Sequence, residues 1–427
     1  MAASLVVLAA CGGTNTPSGG GLGSGPLLVG VLAPFSGADA SFGPRYLAGC
    51  IAASLSINGA GGIGSRQVSC QQFDTKGEPA DAVPAARAMI AGNSNLMGVV
   101  GCTSDEASTV VPILDGSHIP MFCMTGQSEF NKTTAKYFHR LVPADSFDAY
   151  AMIGSALFGP GHAPYKKVAL VFGDDIGSQT FVGPAVAALT KLGVTIAINQ
   201  AIKLGAASYR TEVAKLLQAN PDVILTETIG SAGTYMKELK QQSGQVIPFI
   251  GSSATIDPVW FQQVRDAIGL TDFLANYQAV DLKLSLSGSG YDEFVTQLTA
   301  AEATDPGALT YKGKSPTVHL YDGIILTALA MVATNSKDPT VYNPKIKEIA
   351  NGTSGATDVH TYKEGLDALH AGKSIRYVGA GGANNFDQYN NSQSGYILVK
   401  YDAQGSEIQV QQLTPQQTKN LSDAGGI

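Results

Sequence analysis

The chain has 427 residues, of which 44% are hydrophobic and only 14% are charged, and its net charge is −7. A single hydrophobic core stops growing at about 250–300 residues, so this length predicts two lobes. The acidic balance excludes the basic surface that nucleic-acid binding requires, and we expect no nucleic-acid partner.

The N-terminal segment has the order of an export signal. Residues 1–10 read MAASLVVLAA, and Cys11 follows directly. The LAAC sequence that ends at Cys11 resembles the lipobox of bacterial lipoproteins, in which the thiol is acylated and the chain is cut before the cysteine. We therefore predict a signal peptide over 1–10 and a lipidated Cys11 that begins the mature protein. The alternatives are an ordinary signal peptide and a buried N-terminal strand.

Two further features belong to this end of the chain. No positively charged region precedes the apolar run, so we expect the translation start to lie upstream of Met1. The residues after Cys11 are mainly Gly, Ser, Thr and Pro, and this composition predicts a flexible linker over 11–26.

From Leu27 onward, short apolar strands alternate with helices. Strands are predicted at 27–33, 67–73, 96–101 and 120–125, with helices at 39–58, 79–91 and about 104–114. Strands separated by helices of this length indicate a parallel, doubly wound sheet.

The same pattern restarts near residue 145. Strands are predicted at 167–172, 194–202, 222–226 and 247–251, with helices between them. The tail adds a strand at 273–280, a long apolar helix at 315–334, and a hairpin of 395–402 with 407–413. The repeated βα pattern predicts two α/β lobes in tandem, and a hairpin is a common addition to the edge of a parallel sheet.

Four cysteines follow Cys11, namely Cys50, Cys70, Cys102 and Cys123. An even number in an exported chain indicates two disulfides, and the spacings match no zinc motif, so we predict no metal site. A helix packs on the strand it leads into, and the ends of adjacent strands lie close together. We therefore predict the pairs Cys50–Cys70 and Cys102–Cys123, with four buried free thiols as the alternative.

Seven segments, taken together, resemble the type I periplasmic-binding-protein family, in particular its leucine/isoleucine/valine-binding branch. They are VGVLAPFSG at 29–37, the helix at 48–64 that ends in NGAGGIG, the FDT sequence at 73–75 with its helix, the loop and strand at 99–104 and 119–125, FGDDIG at 172–177, YDG at 321–323, and NFD at 385–387 with the strand near Tyr396. The resemblance implies an α/β fold of two doubly wound parallel-sheet lobes joined by a three-crossover hinge. Lobe 1 is expected over 27–143 plus 282–384, and lobe 2 over 144–281 plus 385–427.

The same resemblance implies a function. We expect the extracytoplasmic, lipid-anchored substrate-binding subunit of an ABC uptake transporter: a monomer without a cofactor, whose partners are permease subunits and a small-molecule ligand. The ligand is expected to be a branched-chain amino acid or a related small apolar acid or amide. A ligand-sensing receptor of the same fold, acting through a regulator, is the alternative.

An enzyme is the remote alternative. The chain has no HExxH, GxSxG, Walker or CxxC sequence, and its six histidines are scattered. We therefore predict no catalytic residue.

Ligands of open α/β sheets bind outside the carboxyl ends of the strands. By resemblance, the hydroxyl and amide groups of Ser104, Thr125 and Gln127, with Asp105, lie where the family holds the carboxylate of an amino acid. Helix N-termini favour anions at such positions, although Ser104 also suits a plain helix cap. Phe42 lies near the aromatic residue of the family's first loop.

The ammonium side departs from the family. Its acidic residue aligns with Ser253, and two tyrosine positions align with Ile176 and Ile229. Glu227 or Asp105 is a candidate substitute, because burying an unpaired ammonium is costly. Otherwise the cleft is apolar and prefers a small acid or amide to leucine. Packing beneath loops is the alternative role for the two isoleucines.

Overall fold

The computed structural model describes residues 21–392 and 395–425. The predicted signal peptide and Cys11 lie outside the described residues, as does most of the predicted linker. The last part of that linker is held in place: the Arg66 guanidinium donates hydrogen bonds to the carbonyl oxygens of Leu22 and of Gly25, the latter at 2.6 Å. Residues 22–25 therefore belong to the folded lobe and not to a free tether.

The described residues form alternating strands and helices. In chain order these are β1 (Leu27–Ala33), α1 (Phe42–Gly59), β2 (Val68–Asp74), α2 (Pro79–Gly92), β3 (Leu96–Gly101), α3 (Ser104–Gly116), β4 (Met121–Cys123), β5 (Phe138–Arg140), α4 (Asp145–Phe158), β6 (Lys167–Gly173), α5 (Ile176–Gln179), α6 (Val182–Lys191), β7 (Thr195–Ile202), α7 (Arg210–Ala219), β8 (Val223–Glu227), α8 (Ala232–Ser243), β9 (Phe249–Gly251), α9 (Pro258–Ile268), α10 (Leu270–Asn276), β10 (Tyr277–Leu282), α11 (Ser289–Ala301), α12 (Ser315–Thr334), α13 (Pro339–Asn351), β11 (Thr357–Val359), α14 (Tyr362–His370), β12 (Ile375–Gly379), β13 (Gly382–Ala383), β14 (Tyr396–Tyr401), β15 (Glu407–Gln412) and α15 (Pro415–Gly425).

The first sheet contains five parallel strands in the order β2-β1-β3-β4-β5. Helices α1, α11 and α12 pack on one face, and α2 and α3 pack on the other. A sheet covered on both faces requires apolar side chains on both sides of its strands, which explains the nearly continuous apolar run of β1. Helix α12 is long and apolar enough to cross a membrane, but 83% of its apolar stretch is buried inside the protein, as in a core helix.

The second sheet contains seven strands in the order β15-β14-β10-β9-β8-β6-β7. Strands β6 to β10 run parallel, and the β14–β15 hairpin adds two antiparallel strands at one edge. The strand predicted from residue 273 begins only at Tyr277. Phe273 lies in α10, and the centre of its ring is 4.8 Å from that of the Tyr277 ring. This apolar side chain therefore packs from a helix and is not part of the strand.

The two-lobe fold of doubly wound parallel sheets is confirmed. The chain passes between the sheets after β5, after β10 and between β13 and β14. Residues 386–392 still contact the first lobe, because Phe386 is buried in its core and the Asn391 amide donates to the Phe130 carbonyl oxygen at 3.1 Å. We therefore propose that the third crossover follows Ser392, later than the boundary predicted at 384; the other lobe boundaries stay as proposed.

Both predicted disulfides are present. Cys50–Cys70 joins α1 to β2 with the Cα atoms 6.1 Å apart, and Cys102–Cys123 joins the ends of β3 and β4 with the Cα atoms 5.1 Å apart. The chain turns sharply before the second disulfide: Gly101 has φ +112°, and a Cβ there would lie 2.3 Å from the Leu32 carbonyl oxygen. This turn directs the chain into α3, at the edge of the sheet that faces the other lobe.

Candidate functional site

A cavity of about 110 Å³ lies between the two lobes. Its walls come mainly from the segments that follow β1, β3, β4 and β5 of the first sheet, from those that follow β6, β8 and β9 of the second, and from the last residues of β10. These are the carboxyl ends of parallel strands, where open α/β sheets place their ligands. The volume is small beside the roughly 300–1,000 Å³ of pockets for drug-sized molecules, so the cavity suits a small solute.

The structure brings most of the sequence-predicted site residues to this cavity. Those that line it are Phe42, Ser104, Asp105, Glu227, Ile229 and Ser253. Thr125 and Gln127 lie behind them. The Thr125 hydroxyl is 3.1 Å from the Ser104 hydroxyl, and it accepts a hydrogen bond from the Gln127 backbone N–H at 3.3 Å. Ile176 lies outside the cavity with 48% of its surface exposed. Contact of these residues with a ligand stays a prediction.

The lining combines apolar side chains with carboxyl groups, and the expected preference for a small acid or amide stays a prediction. The cavity is lined by seven carboxyl side chains, namely Asp39, Asp105, Asp145, Asp148, Asp175, Glu227 and Asp281. Sequence reasoning singled out only two of them, Asp105 and Glu227. Asp175 stands inside the quoted FGDDIG turn, and Asp145 and Asp148 share the first turn of α4, directly after the first crossover. An acidic residue next to a strand end or a crossover was the signal that sequence reasoning missed.

The first turn of α4 places two of these carboxyls under the cavity. Asp148 Oδ2 accepts hydrogen bonds from the Ser253 hydroxyl at 2.5 Å and from the Ser253 N–H at 3.1 Å. Asp145 Oδ2 accepts from the Thr180 hydroxyl at 2.5 Å. Ser253, which aligns with the family's acid, therefore binds an acid from another segment of the chain.

A hydrogen bond between Asp105 and Gly177 crosses the cleft. Asp105 Oδ1, on the first lobe, accepts from the Gly177 N–H of the second lobe at 2.9 Å. A Cβ on Gly177 would lie 3.2 Å from Asp105 Oδ2 and 3.3 Å from Asp175 Oδ1. The absence of a side chain at Gly177 thus lets carboxyls from the two lobes approach each other.

A buried ion pair makes a second connection between the lobes. Arg45 Nη2, on α1, lies 3.1 Å from Asp257 Oδ2, which precedes α9, and both side chains are 2% exposed. The Arg45 guanidinium also stacks 4.5 Å from the centre of the Phe42 ring. The lobes are therefore in contact on more than one side of the cavity, which is a closed arrangement.

Comparison with known proteins accounts for this architecture. Residues 26–337 match the sequence model of the periplasmic binding protein family. The chain belongs to that family. An "Amino acid binding protein" of Pseudomonas aeruginosa is 26% identical over 228 residues, which are 51% of this chain and 58% of the relative. A "Leu/Ile/Val-binding protein homolog 3" of Brucella melitensis is 26% identical over 200 residues, or 46% of this chain and 53% of the relative.

These matches cover little more than half the length of the curated relatives. A solved structure covers more of this binding protein: the leucine binding protein LivK from Thermotoga maritima superposes with a TM-score of 0.70, over 91% of this chain and 99% of that one. The identity is 16%, so the likeness shows the fold.

Burial makes the charges of this binding protein's cavity costly. It raises the pKa of Asp39 to about 7 and of Asp105 to about 8, and in both cases the neighbouring Asp175 carboxyl raises the pKa further. Burial likewise raises the pKa of Asp145 to about 6 and of Asp148 to about 7, and it raises the pKa of Glu227 well above its usual range. A closed cavity with seven carboxyls and, among its described lining residues, one basic side chain therefore favours the protonated carboxyls.

Proposed function

We propose that the protein is the extracytoplasmic substrate-binding subunit of an ABC uptake transporter, and that it captures one small solute between its lobes. The observation that carries this proposal is the closed cavity, whose walls come from both lobes. The Asp105–Gly177 hydrogen bond and the Arg45–Asp257 ion pair both span the cleft. Such contacts stabilise the closed arrangement, and a solute that touches both walls of the cavity would stabilise it further, as the capture of a solute requires.

The relatives support the kind of solute. One is named for binding amino acids and another for leucine, isoleucine and valine. The cavity volume of about 110 Å³ suits molecules of that size. A branched-chain amino acid, or a related small apolar acid or amide, is the ligand range that this likeness supports, and no catalytic step is part of the proposal.

The location is part of the same proposal. The LAAC sequence ending at Cys11 supports a lipid anchor on the outer side of the cytoplasmic membrane, and the folded chain begins soon after it. We propose permease subunits as the partners of a monomeric binding protein. Replacing Cys11→Ser in a chain expressed with its own upstream start is expected to release the protein from membranes into the soluble fraction.

Two measurements test the central proposal. Native mass spectrometry of the freshly purified protein is expected to show one retained small molecule per chain, and small-angle scattering is expected to show a smaller radius of gyration when that molecule is added back. Co-purification with a permease supports transport, whereas co-purification with a regulator supports the sensor alternative. A protein that retains no molecule and shows no closure with any solute contradicts both.

A further inference from the structure

The charges around the cavity do not balance. Of the described residues that line it, Arg45 is the basic one, and Asp257 already pairs with it. Lys314 lies near Asp281 but forms an ion pair with Glu407. Arg140 lies behind Asp145 and donates to the carbonyl oxygen of Gln127 at 3.1 Å. The charges of Arg45, Arg140 and Lys314 lower the pKa of Asp39, Asp145 and Asp281 respectively, but each of these cations has another partner, and the seven lining carboxyls outnumber them.

One of these carboxyls has an oxygen with no donor. Asp148 is 2% exposed, and its Oδ1 is buried without a hydrogen-bond partner, whereas its Oδ2 accepts both bonds from Ser253. Asp175 repeats the pattern: its Oδ1 accepts from the Ser178 N–H at 2.7 Å, and its Oδ2 is buried without a partner. Buried acceptors are nearly always satisfied, so Asp148 Oδ1 calls for a donor that the cavity's occupant supplies. Asp175 Oδ2 lies on the Gly173 side of its carboxyl, and Asp175 Oδ1 lies on the side of Gly177 and Asp105.

The helix end that was expected to hold a ligand carboxylate is itself acidic. Asp105 occupies the first turn of α3, beside Ser104, and Asp39 raises the pKa of Asp105 through its own charge. The hydroxyl of Ser104 already contacts Thr125. Above the raised pKa values of Asp39 and Asp105, a ligand carboxylate placed at this helix end would meet like charges, and such contacts cost several kcal/mol.

Aromatic rings complete the lining. Phe42, Phe181 and Tyr396 face the same cavity as the carboxyls. Carboxylates together with ring faces are the groups that hold an ammonium or guanidinium away from water.

We infer that the ligand is a small organic cation that bears an ammonium or guanidinium group and no carboxylate, bound between Asp105 of the first lobe and Asp148 and Asp175 of the second. This inference rests on the proposed solute-binding function and names the ligand class of the same cavity. It departs from the branched-chain amino acid, small acid or amide that the relatives' names support, because a cation without a carboxylate supplies both the charge and the donors that the cavity lacks.

Three probes of one shape separate the charge requirements. Isopentylamine carries only the ammonium, isocaproate only the carboxylate, and leucine both, on the same branched side chain. Calorimetric titration of the full chain at pH 8 is expected to show that isopentylamine binds at least about tenfold more tightly than leucine, a difference of about 1.4 kcal/mol. No binding of isocaproate is expected.

The pH dependence identifies the partners of the probe. The amine stays protonated up to about pH 10, so any change between pH 5 and pH 8 belongs to the protein. The groups that face the probe are the seven lining carboxyls and the paired Arg45. The pKa is raised to about 6 for Asp145, to about 7 for Asp39 and Asp148 and to about 8 for Asp105, and it is raised well above the usual range for Glu227 and Asp281. Affinity for isopentylamine is expected to rise with pH and to be accompanied by proton release. Binding of isocaproate that strengthens at low pH would overturn the inference, since protonated carboxyls would then be the donors.

Two variants and one control test the carboxyls themselves. Asp148→Asn and Asp175→Asn keep an acceptor oxygen for Ser253 and Ser178 and remove the charge, and each is expected to weaken isopentylamine binding by about 30-fold or more. Asp174→Asn is the matched control: Asp174 is the exposed neighbour of Asp175, does not line the cavity and is expected to leave affinity unchanged.

Failure of the cation inference can be distinguished from failure of the proposed solute capture. Leucine or isocaproate binding as tightly as isopentylamine, or unchanged amine binding in both variants, overturns the cation inference and leaves solute capture intact. Binding of calcium but not of isopentylamine overturns it too. If none of the three probes binds, the inference falls, and solute capture falls with it only if the purified protein also retains no molecule and never closes.

Discussion

Arg45 and Asp257 show what a single pair of side chains contributes to the closed form. The two groups come from different lobes, lie 3.1 Å apart and are almost fully buried. Asp257 also caps α9, because its Oδ1 accepts from the N–H groups of Val259 and Trp260 at 2.9 and 3.0 Å. Burying two ions is costly, so such a pair is stable only when its geometry and its additional hydrogen bonds compensate for the lost water. Opening the lobes would rehydrate both ions. The pair therefore fixes how the lobes fit together in the closed form, and it adds little to the stability of each lobe.

The variant Asp257→Asn separates the charge from the cap. Asn caps helices as well as Asp does, so α9 is expected to remain formed, but Arg45 loses its counter-ion in the closed state. Removal of one partner of a buried pair costs about 3–5 kcal/mol, and here the lobes can open to avoid it. We expect weaker ligand binding and a larger radius of gyration in scattering measurements.

The control for this variant lies on the same helix. Asp266 pairs with Arg265 at 2.8 Å, but the two side chains are 58% and 34% exposed. Exposed pairs contribute about 0–1 kcal/mol, so Asp266→Asn is expected to change neither the ligand affinity nor the radius of gyration. Equal effects of the two variants would mean that the buried pair has no role in closure.

At the scale of elements, the two disulfides have different positions relative to the site. Cys50–Cys70 fastens α1 to β2 within the first lobe, whereas Cys102–Cys123 ties the ends of β3 and β4 together at the cavity edge. The second bond lies next to Ser104 and Thr125, whose hydroxyls contact each other. It therefore constrains two site loops as well as the unfolded chain.

Replacing each disulfide by a pair of serines tests this difference. Both loops close about 20 residues, so each pair of substitutions is expected to lower the free energy of unfolding by about 3 kcal/mol in the chain-entropy estimate. Only Cys102→Ser with Cys123→Ser is expected to weaken ligand binding as well, as measured by calorimetry at a temperature where both variants are folded. Equal affinities of the two variants would contradict a role of the second disulfide in the site.

At the scale of the whole molecule, carboxyls of like charge face each other across the cleft. Asp39 and Asp105 belong to the first lobe and Asp175 to the second, and the Asp175 carboxyl raises the pKa of both. Ionisation of these groups favours separation of the lobes, whereas protonation or a bound cation favours contact. The Arg45–Asp257 pair thus holds the two lobes together, whereas the ionised carboxyls repel each other across the cleft until a bound cation relieves that repulsion.

The empty protein is expected to lose stability and to open as the pH rises. In the closed fold the pKa is about 7 for Asp39 and Asp148 and about 8 for Asp105, against the ordinary value of 3.8, so the folded state holds more protons than the unfolded one between these limits. Their contribution to stability is complete below about pH 4 and is lost as the pH rises through the folded values near 7 and 8. Melting temperature and radius of gyration at pH 5 and pH 8 measure the effect. A melting temperature that rises over this range would contradict it.

The local patterns of the sequence were enough to predict most strands of the two large sheets, the two lobes and both disulfides, but not the three-stranded sheet of β11, β12 and β13 or helices such as α4 and α9. Strand and helix periodicities are properties of short segments, and Cys102 and Cys123 follow neighbouring strands whose ends must meet. Only the tertiary structure decided which carboxyls converge. Asp148 meets Ser253 across 105 positions of sequence, and no local pattern encodes such a contact. Ile176 and Gly177 show the same limit within one turn: rotation of the chain exposes the Ile176 side chain and points the Gly177 N–H at Asp105. The chemistry of the cavity depends on how loops from two lobes face each other, and that orientation arises only when both sheets are packed and the cleft is closed.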